Sequence, residues 1–216
     1  MAGHVMNKAA KNILFLSVAL ALAGCGTSPS ANEAGTAAQG NLVGAKIGGD
    51  FALTDQNGKT VRWADFKGKY RLVYFGYTYC PDVCPLDLTH IMAGYRLLER
   101  SDPAKAAKIQ PIFITVDPQR DTPGVIKTYT AAFHPKLIGL TGTSEQIEAV
   151  KKAFVVVASK EGDQKATENY LVNHTRTPFL FGPDGEPIAL VPIAEAGAKQ
   201  DQAAQEVRDF LSQFVE

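Results

Sequence analysis

The chain has 216 residues, with 22 basic and 22 acidic side chains and three cysteines. That length suits one domain with a core that needs no staples, and three cysteines exclude a disulfide-scaffolded mini-protein. The charges balance and no basic stripe stands out, which argues against nucleic acid as a partner.

Lys8 and Lys11 precede an apolar run from Ile13 to Leu22. The run is too short to span a bilayer comfortably and reads as the hydrophobic part of an export signal. It ends in Leu22-Ala23-Gly24-Cys25, which resembles a bacterial lipobox. Residues 1–25 are therefore expected to be a lipoprotein signal with Cys25 lipidated. The next stretch, 26–43, is rich in Ser, Ala, Gly, Thr and Asn and reads as a flexible tether. The folded domain is expected over 44–216, held at a membrane by the lipid and facing the periplasm of a bacterial cell envelope. With Cys25 lipidated, Cys80 and Cys84 remain as a thiol pair with no odd cysteine left over.

Along the domain, Phe51 to Trp63 looks like a hairpin turning at Asn57-Gly58, a strong two-residue turn signal. Leu72 to Phe75 is a predicted buried strand, and the helix that follows should run from Leu86 to Arg100. Its apolar stripe is Leu88, Ile91, Met92, Tyr95 and Leu98. Pro111 to Asp117 is a second buried strand. Asp121-Thr122-Pro123 starts a helix ending near Phe133. Leu137 to Leu140 is a short strand. Thr143 and Gln146 fit a capping box that opens a helix ending near Ala153. Phe154 to Ala158 reads as a strand or as the run-out of that helix. Leu171 to His174 is extended. Phe179 to Phe181 and Ile188 to Val191 form a closing hairpin, and Gln202 to Phe214 is a terminal helix. The order indicates an α/β domain with a mixed sheet.

Chemistry concentrates at Cys80-Pro81-Asp82-Val83-Cys84-Pro85, where the first buried strand turns into a helix. Proline favours the first helical position, so Cys84 is expected at or beside the N-cap, where helix-end amides favour a thiolate. A four-residue spacing on a helix puts Cα atoms about 6 Å apart, which permits both a disulfide and a shared metal. The spacing alone leaves redox exchange and soft-metal binding both open. His174, at the end of an extended segment, is a further candidate ligand. His90 lies within a predicted helix and His134 at a helix end.

Three segments together carry a resemblance. Tyr74 to Pro85, Val116 to Pro123, and Tyr170 to His174 with Leu180 to Gly185 resemble, in order and spacing, the motifs of the Sco/SenC family. The resemblance covers about Gly44 to the end. It implies a thioredoxin-like fold: a mixed central sheet flanked by helices, with the early hairpin as an N-terminal extension. It also implies copper ligands at Cys80, Cys84 and His174. Two thiolates and an imidazole suit Cu(I), while Cu(II) prefers a further oxygen donor. The family often has Asp before the histidine, and this chain has Asn173, so Asp82 or Asp117 is the candidate carboxylate near the site; Asp117 reads equally as a cap, with Asp121, of the turn that follows it. Thr177-Pro178 also departs from the family pattern, at the place where thioredoxins carry a cis-proline.

The implied function is a copper chaperone that delivers its ion to a subunit of a haem–copper (cytochrome c) oxidase during assembly. The alternative is a periplasmic thiol–disulfide oxidoreductase in which Cys80 and Cys84 are the redox-active pair. The two are compatible, because a thiol reductant protein must open any disulfide before the sulfurs can take metal.

Overall fold

The computed structural model describes residues 40–163, 169–194 and 197–216. The expected lipobox at Cys25 and most of the expected tether lie outside the described residues. Among the described residues no helix is long and apolar enough to cross a membrane.

The strands are β1 (Ala52–Asp55), β2 (Thr60–Arg62), β3 (Tyr70–Gly76), β4 (Ile109–Thr115), β5 (Ile138–Thr141), β6 (Ala158–Lys160), β7 (Val172–His174), β8 (Phe179–Phe181) and β9 (Pro187–Leu190). The helices are α1 (Val83–Ser101), α2 (Pro103–Ala107), α3 (Pro123–Phe133), α4 (Ser144–Ala153) and α5 (Gln200–Phe214). Seven strands form one mixed sheet in the order β2-β1-β5-β4-β3-β8-β9, and β6 and β7 form a separate pair. β3, β4 and β5 run parallel, while β1 and β8 join antiparallel on either side. This is the expected thioredoxin-like architecture with its added hairpin.

The parallel centre follows from composition. Leu72 to Phe75 and Ile112 to Ile114 are continuous apolar runs, and all are buried. Strands of that kind are stable only with both faces covered. The α1 stripe is buried as its periodicity predicts. Trp63, Phe154 and Phe181 pack edge-on with ring centroids 5.2–5.3 Å apart. Arg71 is tied to this cluster: its guanidinium sits 4.5 Å from the Trp63 ring centroid and donates to the Gly182 carbonyl.

Local signals fix several boundaries. Thr143 and Gln146 make the expected reciprocal capping box. Thr122 caps α3, with Pro123 in its first turn. The β1–β2 loop is one residue longer than the two-residue turn expected. Asp55 and Lys59 close it, and Gly58 takes φ +79°. The Asp55 carboxylate accepts the Asn57 and Lys59 amides, which favours this wider turn.

The stretch Phe154 to Ala158 is not one strand. Phe154 closes α4, Val155 adopts φ 56°, and the Val156 amide returns to the Lys151 carbonyl. This is a Schellman-type helix stop, with a branched residue where glycine is usual. Only from Ala158 does β6 begin, pairing with β7 so that Ala158 lies opposite His174. At the start of the described chain, Asn41 bridges Ala189 on β9, ahead of Gly44, where the resemblance begins.

Candidate metal centre

β3 ends at Gly76, and the chain turns through Tyr77–Pro81 before α1 starts. Asp82 is the N-cap of α1, so Cys84 lies inside the first helical turn rather than at the cap. Cys80 precedes the helix, and its sulfur accepts the Cys84 amide at 3.4 Å. The helix-end field expected at Cys84 therefore acts on Cys80. The Cys80 thiol is pushed down to about 3, first by the Cys84 thiol, which donates to it, then by His174 and the Asp82 and Cys84 amides. The Cys84 thiol is pushed up, by that bond to Cys80 and by burial. The two sulfurs share their protons, so the first leaves easily and the second is retained. Both cysteines are free and buried.

Cys84 is fully enclosed because the sheet comes close to it. A Cβ on Gly76 would lie 3.2 Å from the Cys84 sulfur and 3.1 Å from Phe113. Glycine leaves the sulfur room at the end of β3.

His174 ends β7 and is half-buried. Its Nδ1 lies 2.9 Å from the Thr175 carbonyl and its Nε2 lies 3.1 Å from the Cys84 sulfur. A carbonyl can only accept, so Nδ1 carries the proton. Nε2 is the nitrogen that faces the sulfurs, and whenever the ring is neutral it presents its lone pair to them, as a metal ligand must. Tyr74 and Tyr77 hold the ring edge-on at 6.5 and 5.8 Å. The Cys80 and Cys84 sulfurs and a His174 nitrogen lie within 4.8 Å of one another. Two thiolates and an imidazole at this spacing fit a soft ion such as Cu(I), and a harder ion would seek more donors.

The two carboxylates singled out from sequence do not join that group. Asp82 is exposed at the helix cap and makes no side-chain capping bond. Asp117 is buried, and its carboxylate accepts from Tyr170 Oη at 2.7 Å and from Arg120 Nε at 2.5 Å. Arg120 also donates to the Tyr170 carbonyl and stacks on its ring at 3.6 Å. Asp117 thus fastens the segment leading into β7, two residues before Val172. Asp121, read from sequence as a helix start, accepts the Thr78 amide and hydroxyl and the Thr115 hydroxyl. It anchors the cysteine turn to the end of β4. His90 and His134 are buried on α1 and after α3, outside the group.

One pair near the site was not read from sequence. Asp87, buried on α1, accepts from Tyr74 Oη at 2.9 Å and from Arg176 at 3.1 and 2.7 Å. Arg176 lies in what the sequence showed only as a link between two extended segments.

A thioredoxin-like domain whose cysteine turn faces a histidine from a separate strand pair defines a class of thiol-and-imidazole metal proteins. The chain matches the family model described as SCO1/SenC over residues 39–212, and it belongs to that family. It is 44% identical over 169 residues to "Protein SCO2, mitochondrial" of Saccharomyces cerevisiae, covering 78% of this chain and 54% of that protein. It is 37% identical over 166 residues to the "SCO2-like protein" of Rickettsia felis, covering 77% and 76%. The chain thus spans about half the length of the yeast relative. Among solved structures, it is similar to Bradyrhizobium japonicum ScoI with copper bound. That match has a TM-score of 0.66 at 37% identity and covers 78% of this chain and 99% of that one. It is also similar to yeast Sco1 with copper bound, with a TM-score of 0.64 at 30% identity, covering 79% and 91%.

Proposed function

We propose that this protein binds one copper ion through Cys80, Cys84 and His174 and hands it to a subunit of a haem–copper oxidase during assembly. The observation that carries the reading is the convergence of the three donor atoms within 4.8 Å. The donor set supports it, because sulfur and imidazole favour Cu(I). The copper-bound relatives from Bradyrhizobium and yeast support the metal assignment. The reading extends to the ends of the chain. The lipobox at Cys25 supports a lipid anchor, with 26–43 as tether and the domain facing the bacterial periplasm.

The test is titration of the reduced protein with Cu(I) and Cu(II), followed by thiolate-to-copper charge-transfer absorption. One equivalent is expected to saturate the site. No stoichiometric binding of either ion overturns the reading.

The free, adjacent cysteines also favour thiol–disulfide exchange with the oxidase's own cysteines, after a reductant protein has opened any Cys80–Cys84 disulfide. Exchange needs only the cysteines, whereas copper transfer needs His174 as well. Oxidase maturation in a strain carrying His174→Ala separates them: failure supports copper delivery, and full maturation without added copper supports the reductase.

A further inference from the structure

We infer that the Asp87–Arg176 pair positions His174 over Cys84 and so sets the affinity of the three-donor site; this rests on the copper reading above. His174 is not on the main sheet. It ends β7, which among the described residues pairs only with β6. A two-stranded unit is marginal alone, so the histidine's place depends on what fastens its strand to the rest. On the near side, Val172 donates its amide to Tyr77 Oη at 3.1 Å. On the far side, two residues beyond the histidine, Arg176 reaches α1. Its Nε and Nη2 bind the two oxygens of Asp87 at 3.1 and 2.7 Å. Asp87 lies one helical turn beyond Cys84, on the same rigid element.

The geometry makes this more than a surface ion pair. The Asp87 carboxylate is 1% exposed and takes a third bond from Tyr74, whose ring also stands against His174. A forked contact to a buried, triply bonded carboxylate fixes the direction as well as the distance of the guanidinium. The backbone at Arg176 is thereby held against α1, and the imidazole is held between two fastened points. The residues act on the ligand and touch no metal themselves.

The test compares Arg176→Gln and Arg176→Lys with the unaltered protein by three measurements. These are Cu(I) affinity, the imidazole NMR resonances of His174 in the reduced, metal-free state, and the rate of Cys80–Cys84 disulfide formation with a small-molecule oxidant. Arg176→Gln is expected to weaken Cu(I) binding about ten- to a hundredfold, as removal of a ligand's orienting partner does. It should also shift or broaden the His174 resonances and change the disulfide rate far less than the affinity. Arg176→Lys keeps the charge but not the fork, so its affinity should fall between the two. Unchanged affinity and unchanged resonances in Arg176→Gln overturn the inference. If that variant misfolds because Asp87 is left buried and charged, Asp87→Asn with Arg176→Gln replaces the ion pair by amides, and the same two outcomes apply. If the unaltered protein binds no Cu(I), the copper reading falls, and the resonance shift alone decides whether the pair positions His174.

Discussion

The two halves of the metal centre are built by different means. The cysteine turn is local. It joins β3 to α1, accepts the Cys84 amide at the Cys80 sulfur, donates from Thr78 to the Asp121 carboxylate, and packs against the buried parallel strands. The histidine arrives from a strand pair outside the main sheet and is held by side chains distant in sequence: Tyr77 for Val172, Asp117 and Arg120 for Tyr170, and Asp87 for Arg176. Sulfur chemistry should therefore withstand changes that move the imidazole. Copper binding, which needs both halves, should not.

The largest effect tests the rigid half. Cys84→Ser keeps the shape of the enclosed side chain but removes the shared thiol. Loss of both stoichiometric copper binding and disulfide formation is expected, read by charge-transfer absorption and by thiol counting after oxidation. Retained tight copper would break the assignment of Cys84. The next effect separates the halves. His174→Ala should lose tight copper binding while the Cys80–Cys84 disulfide still forms, because two sulfurs alone leave the ion open to solvent thiols. Undiminished affinity there would mean that the second half contributes no ligand.

A smaller effect sharpens the contrast. Tyr77→Phe leaves the Val172 amide without its acceptor, at a cost of about 1 kcal/mol. Hydrogen exchange at Val172 and its β6 neighbours should speed up, while amides of β3 and β4 keep their protection. Equal acceleration throughout would show that the strand pair and main sheet open as one unit.

The smallest effect lies away from both halves and serves as a control. The Lys136 amide donates to His134 Nδ1, so His134 Nε2 bears the ring proton and points at Glu99. Burial pushes the His134 pKa down, against the opposing pull of Glu99; Arg96 and Lys136 add to the lowering, and Tyr95 packs edge-on. The folded pKa is therefore below the ordinary histidine value of about 6.5. As pH falls below that value, the unfolded chain takes up a proton before the folded one does, and stability is lost. Urea midpoints should fall between pH 7.5 and 5.5. The drop should be shallower in His134→Gln, whose copper site should be unaffected.

What was legible in the sequence follows the same division. Thr143 with Gln146, Thr122 with Pro123, and the α1 stripe act within a few residues, and periodicity and capping chemistry expose them. The three residues whose donor atoms converge were also legible. Cys80 and Cys84 declare themselves by spacing, but His174 was one of several histidines until the family motifs placed it. Short-range signals were still missed. Asp102 accepts the Lys105 amide and Pro103 opens α2, an Asp-Pro helix start that went unread. Other features had no local signal. β6 is Ala-Ser-Lys, without apolar alternation, and exists because β7 pairs with it. Asp87 and Arg176 are separated by 89 residues, and neither is unusual where it stands. Asp117 reads from the sequence either as a carboxylate near the site or as a cap of the turn that follows it. A carboxylate at a strand end near two cysteines can serve metal or protein, and only the positions of Tyr170 and Arg120 decide between them.

The bridge between Asn41 and Ala189 bears on how the sheet ends. β9 is the outermost strand on its side, and an open edge is a template for pairing with another copy. Here the Leu42 amide donates to the Ile188 carbonyl, and the Leu190 amide donates to the Gly40 carbonyl. The incoming chain thus acts as a selvedge, occupying backbone groups that would otherwise face a neighbour. A fragment begun at Gly44 would lose that border and present β9 bare, so any soluble version of the domain should begin before Gly40.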